Sequence, residues 1–207
     1  MATGGSLIAL SGSLPKGAPV SYYSTLVREI AAAGGRALVD TSGPALAAGL
    51  QARPFAVKPN RVEAENLLGR SVGGTPRELA AAATEIQAQF GVPWVLLSNG
   101  SCGLVVLDGT GAAWHGTVEL TQAEQSKIVN DQGCGDALVA SFLGAFAERE
   151  PHGAAPPTAE AICRAMCVCG TANLFTPMPG QLCGEILKRF EDGGMESKRV
   201  KVVPVTR

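Results

Sequence analysis

Residues Ala37-Leu38-Val39-Asp40-Thr41-Ser42-Gly43-Pro44 pass from an apolar strand, through a polar loop, into a helix. A short apolar run bounded by turn formers reads as a strand buried on both faces. Proline suits the first turn of a helix, where its missing N–H would have no partner. The same strand, polar loop and helix recur on either side. Leu7-Ile8-Ala9-Leu10 ends in Ser11-Gly12-Ser13 and leads to a helix over Val20–Ala33, stopped by Gly34-Gly35. Phe55-Ala56-Val57 runs into Lys58-Pro59-Asn60, followed by helices over Arg61–Leu68 and Thr75–Phe90.

Farther along, Trp94-Val95-Leu96-Leu97 and Leu104-Val105-Val106-Leu107 read as neighbouring strands joined through Gly100-Ser101-Cys102-Gly103, with a further short strand at Trp114–Val118. Helices follow over Asp136–Phe146, Glu160–Leu174 and Gln181–Phe190, and a last strand over Val200–Val203. Glu148–Pro157 is the only linker-like segment. Strands alternating with helices predict an α/β fold, a mostly parallel sheet flanked by helices, in one domain over residues 1–207. Open α/β sheets bind ligands at the carboxyl ends of their strands. Ser11, Asp40, Lys58-Pro59-Asn60 and Ser98 all follow strands, so they are expected on one edge.

The 207 residues are 46% hydrophobic and 17% charged with a net charge of −1, which gives no electrostatic reason for a nucleic-acid or anionic-membrane partner. No apolar run reaches transmembrane length. Met1–Gly5 carries no basic leader, and a cytoplasmic protein is expected. The six cysteines include Cys163, Cys167, Cys169 and Cys183, but no Cys-x-x-Cys knuckle, so core packing is favoured over a zinc site. His115 and His152 have no neighbouring partners and are assigned to the surface.

The sharpest chemical signal is Gly133-Cys134-Gly135-Asp136 at the start of an apolar helix. Small residues let backbone N–H groups approach an anion, and the helix N-terminus adds partial positive charge. Asp136 stands where a carboxylate could take a proton from a hydroxyl, although Asp is also an ordinary first-turn residue. Asn60-Arg61-Val62-Glu63 places an amide and a carboxylate one turn apart, which suits either hydrated Mg²⁺ or a capping box. Ser98-Asn99-Gly100-Ser101-Cys102-Gly103 suits both a nucleotide-phosphate loop and a glycine-rich hairpin turn. It matches neither a Walker A loop nor a Rossmann fingerprint.

The order of these motifs resembles the ribokinase-like carbohydrate kinases of the phosphofructokinase-B family, from about Leu7 to about Phe190. Ser11-Gly12-Ser13-Leu14-Pro15 with Asp40-Thr41-Ser42-Gly43 looks most like the branch acting on phosphorylated hexoses, 1-phosphofructokinase and tagatose-6-phosphate kinase. The resemblance implies a ribokinase-like fold in which Asp136 is the catalytic base and Gly133, Cys134 and Gly135 form the anion hole. It implies that Asn60 and Glu63 organise Mg²⁺, and that Lys58, Ser98, Gly100, Gly103 and Asn173 serve ATP. Ser11, Gly12 and Ser13 match the loop beside the sugar phosphate. The implied reaction is transfer from ATP to a hydroxyl of fructose 1-phosphate or tagatose 6-phosphate. A homodimer is compatible with it.

Two departures stand out. The family's first strands and β-lid precede the Ser-Gly-Ser-Leu-Pro loop and are missing from this sequence, which is expected to leave a sheet edge exposed. The alternative reading is accordingly a fragment or shortened paralogue that binds nucleotide without turnover. Asn130-Asp131-Gln132 also differs from the family's usual approach to the anion hole. Asp131 adds a carboxylate near the phosphates, and Gln132 is bulkier than usual.

Overall fold

The computed structural model describes residues 5–147, 155–191 and 196–206. His152 and most of the expected linker lie outside them. Seven strands form one mixed sheet in the order β1 (Leu7–Ser11), β2 (Arg36–Asp40), β3 (Ala56–Val57), β4 (Trp94–Ser98), β5 (Leu104–Leu107), β6 (Ala113–Val118) and β7 (Val200–Pro204). The α/β class stands. The parallel arrangement, however, covers only the half from β1 to β4, and β4 to β7 pair antiparallel. Connection length explains the change: helices carry the chain between parallel strands, whereas a few residues return it from β4 to β5 and from β5 to β6.

Alternation along the strands divides the core into two layers. Val39, Val57, Val95, Leu97, Val105 and Leu107 face one cluster, with α1 (Tyr22–Ala32), α2 (Gly43–Leu50), α3 (Arg61–Leu68) and α4 (Pro76–Phe90). Leu38, Ala56, Leu96, Leu104 and Val106 face the other, with α6 (Cys134–Ala147), α7 (Ala159–Leu174) and α8 (Gly184–Phe190). The short α5 (Gln122–Gln125), which the sequence pattern did not show, lies between β6 and α6. Strand β1 ends the sheet, and Leu7, Ile8, Ala9 and Leu10 are only half-buried, as expected for an exposed edge.

Local chemistry sets the helix limits. Asn60–Glu63, Thr75–Glu78 and Thr121–Glu124 are reciprocal capping boxes, which satisfy backbone donors at both ends of the box. Gly69 and Gly91 close α3 and α4 in the left-handed region. Two expectations are corrected. Helix α6 begins at Cys134, so Cys134 and Gly135 already belong to its first turn instead of preceding it. His115 is buried, its Nε2 lying 3.1 Å from the Cys102 carbonyl oxygen, because β6 is an interior strand between β5 and β7. Among the described residues no helix is long and apolar enough to cross a membrane.

Candidate active site

Strand register brings the polar strand ends together. Ser11 is paired with Asp40 across β1 and β2, and Asn60 bridges Ser98 beyond β3 and β4. The loop after β1 is held from behind: Tyr23 Oη donates to the carbonyls of Ser11 at 3.1 Å and Gly12 at 2.9 Å. Burial, then the nearby Asp40 charge, pushes the Tyr23 hydroxyl above its usual range. Ser11 Oγ in turn donates to Asp40 Oδ2 at 3.4 Å. Ser11, Gly12 and Ser13 remain exposed on this edge.

Lys58 is buried among these ends, its Nζ 3.0 Å from Asp40 Oδ1. The same Nζ would lie 3.4 Å from a Cβ added to Gly135, so the ammonium flanks the first turn of α6. Asp40 was expected on this edge but was given no role of its own. Its signal was present in the Asp-Thr-Ser-Gly loop at a strand end, but only the fold shows that it pairs with Lys58. Next to it, the buried Thr41 Oγ1 has no hydrogen-bond partner.

The N-terminus of helix α6 is the candidate anion cradle. Its first intrahelical bond runs from Ala137 N to Gly133 O at 2.9 Å. The N–H groups of Cys134, Gly135 and Asp136 thus have no carbonyl of their own helix to bind. They point along the axis with the positive end of the helix dipole. Gly133, at φ 81°, approaches the Pro179–Gly180 backbone so closely that a Cβ would sit 2.3 Å from Gly180 N. Asp136 is exposed on the first turn. The helix is anchored at its far end by aromatic packing, with Trp94 5.7 Å from Phe142 and Phe142 5.1 Å from Phe146 between ring centroids.

From this turn a cleft of about 840 Å³ runs past Cys134, Gly135 and Asp131 to Ser98, Gly100 and Gly103. Gly103, at φ 90°, would place a Cβ 2.0 Å from Gly116 O, so the Ser98–Gly103 turn closes tightly against β6. The turn joins two antiparallel strands, as the hairpin reading expects, and it also lines the cleft. The volume lies within the range of small-molecule sites. Sequence reading missed the opposite wall, made by Thr117, Val118, Gln125, Met166, Gly170 and Thr171. At Gly170 a Cβ would come within 3.2 Å of Leu138, so the glycine marks a close approach of α7 to α6.

Asn60 and Glu63 form the capping box: Glu63 N donates to Asn60 Oδ1 at 2.9 Å, and Asn60 N to Glu63 Oε2 at 2.8 Å. Burial raises the Glu63 carboxyl above its usual range, opposed by the Asn60 N–H and the Lys58 charge. Asp40 also acts on Glu63, so two carboxylates and one ammonium share this end of the sheet. Among the described residues no cluster of three or more His, Cys, Asp or Glu is placed to hold a metal. Asp40 and Glu63 nevertheless offer the hard oxygens that suit Mg²⁺, which keeps most of its waters and takes few protein ligands.

Asn173 is corrected. It was expected to line the nucleotide pocket, but it is fully buried and its polar atoms are engaged within the protein. Its neighbours Gly170, Thr171 and Leu174 on α7 reach the cleft in its place. Cys163 and Cys167 are buried side by side against Gly116, and Cys167 also touches the cleft.

The chain belongs to the pfkB family of carbohydrate kinases, whose family model matches residues 3–176. It is 31% identical to the 1-phosphofructokinase of Haemophilus influenzae over 140 residues, 68% of this chain and 42% of that protein. With the 1-phosphofructokinase of Rhodobacter capsulatus the identity is 37% over 145 residues, 70% of this chain and 43% of the other. The chain thus spans less than half the length of these curated relatives. The structure of Escherichia coli phosphofructokinase-2 in complex with fructose-6-phosphate superposes with a TM-score of 0.72 at 25% identity, over 89% of this chain and 56% of that one.

Proposed function

We propose that residues 1–207 form the nucleotide-binding and catalytic part of a kinase acting on a phosphorylated hexose, with ATP as phosphoryl donor. The observation that carries this reading is the junction at the α6 N-terminus. There Cys134 and Gly135 line the end of the cleft, the Lys58 ammonium flanks Gly135, and Asp136 stands exposed on the same first turn. The family resemblance and the names of the curated relatives favour fructose 1-phosphate over tagatose 6-phosphate, giving fructose 1,6-bisphosphate.

In this reading the cleft holds the nucleotide, with its phosphates along Ser98–Gly103. The loop at Ser11, Gly12 and Ser13 receives the sugar phosphate. Asp136 accepts the proton of the attacking hydroxyl. The cradle amides and Lys58 take up the negative charge that develops on the transferred phosphoryl group. Asp40 and Glu63, with Asn60 fixing Glu63, would hold the Mg²⁺ that accompanies the donor. When bound, Mg²⁺ neutralises phosphate charge, including the repulsion from Asp131 at the cleft wall.

The test is turnover of MgATP with fructose 1-phosphate by wild type and Asp136→Asn. Loss of turnover with nucleotide affinity retained supports the assignment. Full activity in the variant removes Asp136 from the chemistry. Nucleotide binding by wild type without turnover on either hexose phosphate would favour a non-catalytic nucleotide-binding role.

A further inference from the structure

Asn173 is a fully buried carboxamide that spans two loops. Its Nδ2 donates to the Gln132 carbonyl at 2.7 Å and to Cys134 Sγ at 3.4 Å, and its Oδ1 accepts from Gly180 N at 2.8 Å. One side chain therefore grips both backbones where Gly133 and Gly180 come closest. The Gln132 carbonyl has a second donor, Asn130 Nδ2 at 3.2 Å, and Asn130 Oδ1 also accepts from Gln132 N at 2.8 Å. The approach is held further upstream, where Val129 N donates to Leu174 O at 2.9 Å.

A peptide group is planar, and in the trans form its C=O and N–H point in opposite directions. Fixing the Gln132 carbonyl toward Asn173 therefore turns the Gly133 N–H away from Asn173. We infer that Asn173 is a positioning residue, which sets the Gln132–Gly133 peptide plane so that the Gly133 amide completes the anion cradle of α6. This inference rests on the proposed kinase reading. Asn173 acts through Gln132 and touches no reacting atom. Its bond to the Gln132 carbonyl at one end and its hold on Gly180 at the other explain why a carboxamide, with one donor and one acceptor arm, serves here.

Asn173→Asp keeps the acceptor for Gly180 N and loses the donor to Gln132. Loss of one oriented charge-stabilising donor costs about 10²-fold in kcat, with KM for ATP nearly unchanged. Asn130→Ala, on the outer side of the same carbonyl, is expected to lower kcat less and to fold normally. Thr176→Val is the stability control: it removes bonds to the carbonyls of Asn173, Met178 and Gln181 without touching Gln132.

The independent readout is the ¹⁵N–¹H resonance of Gly133 on adding MgADP with aluminium fluoride, a mimic of the transferring phosphoryl group. In wild type it should shift. In Asn173→Asp it should stay in place while resonances of the cleft still respond to nucleotide. A Gly133 resonance that responds equally in both proteins, or a kcat loss in Thr176→Val equal to that in Asn173→Asp, would overturn the inference. A wild type whose Gly133 responds but which never turns over hexose phosphate would sink the kinase reading and leave the positioning role standing.

Discussion

Lys58 Nζ lies 3.0 Å from Asp40 Oδ1, and their side chains are only 8% and 16% exposed. A buried pair of this kind costs desolvation energy for both ions, and removing one partner strands the other. Lys58→Met should destabilise the protein by about 3–5 kcal/mol, and adding Asp40→Asn should recover part of that loss. Urea denaturation of the two single variants and the double provides the cycle. Additive losses would show that the two side chains act independently.

Gly133 combines a left-handed backbone with a contact no side chain can share. Strained left-handed geometry and overpacking each cost about 1–3 kcal/mol. Gly133→Ala should therefore lose about 2–4 kcal/mol by the same reasoning and should disturb the α6 turn. Gly135→Ala faces only an ordinary contact with Lys58 and should fold with far smaller loss. Thermal denaturation of both variants separates the two glycines.

Glu124 joins α5, at the rim of the cleft, to the C-terminal segment. It accepts from Arg189 Nη2 at 2.6 Å, Arg199 Nη2 at 2.5 Å and Thr121 N at 2.7 Å. These bonds, led by Arg199, hold its carboxyl well below the ordinary value of 4.5. A depressed carboxylate contributes stability that is complete above the unfolded-state value and is lost as pH falls toward the folded one. Wild type should therefore exceed Glu124→Gln in urea midpoint at neutral pH, and the gap should narrow as pH drops below 4.5. A gap independent of pH would mean that the carboxylate charge is not what matters.

Gly116 leaves room for two thiols: a Cβ there would meet Cys167 Sγ at 2.5 Å and Cys163 Sγ at 2.7 Å. Gly116→Ala should cost about 1–3 kcal/mol through overpacking. Combining it with Cys167→Ala and Cys163→Ala should restore part of that loss. Differential scanning calorimetry of the set would show it, and no recovery would place the strain in the β6 backbone.

Much of the fold could be read along the chain because the signals are local. Apolar runs such as Leu38-Val39 and Leu104–Leu107 became strands, and Pro44, Asn60 and Thr75 marked helix starts. The helix at Gln122–Gln125 was too short to carry a periodic pattern. The switch from parallel to antiparallel pairing after β4 depends on which strands meet, not on any one strand's composition. The cleft's second wall was hidden for the same reason: Thr117, Gln125 and Met166 come from three elements whose patterns speak only of packing.

The sequence alone pointed to the family, through the order of its polar motifs along the chain, and marked the glycine-bearing helix start with Asp136 as the candidate site. It also determined which strand ends would be polar. Only the tertiary structure decided that Asp40 faces Lys58 and that His115 is interior. Only it buried Asn173 where it bonds the Gln132 carbonyl. Those relations are set by register and by the packing of α7 against α6, which join residues far apart in the chain and leave no trace in the spacing of either.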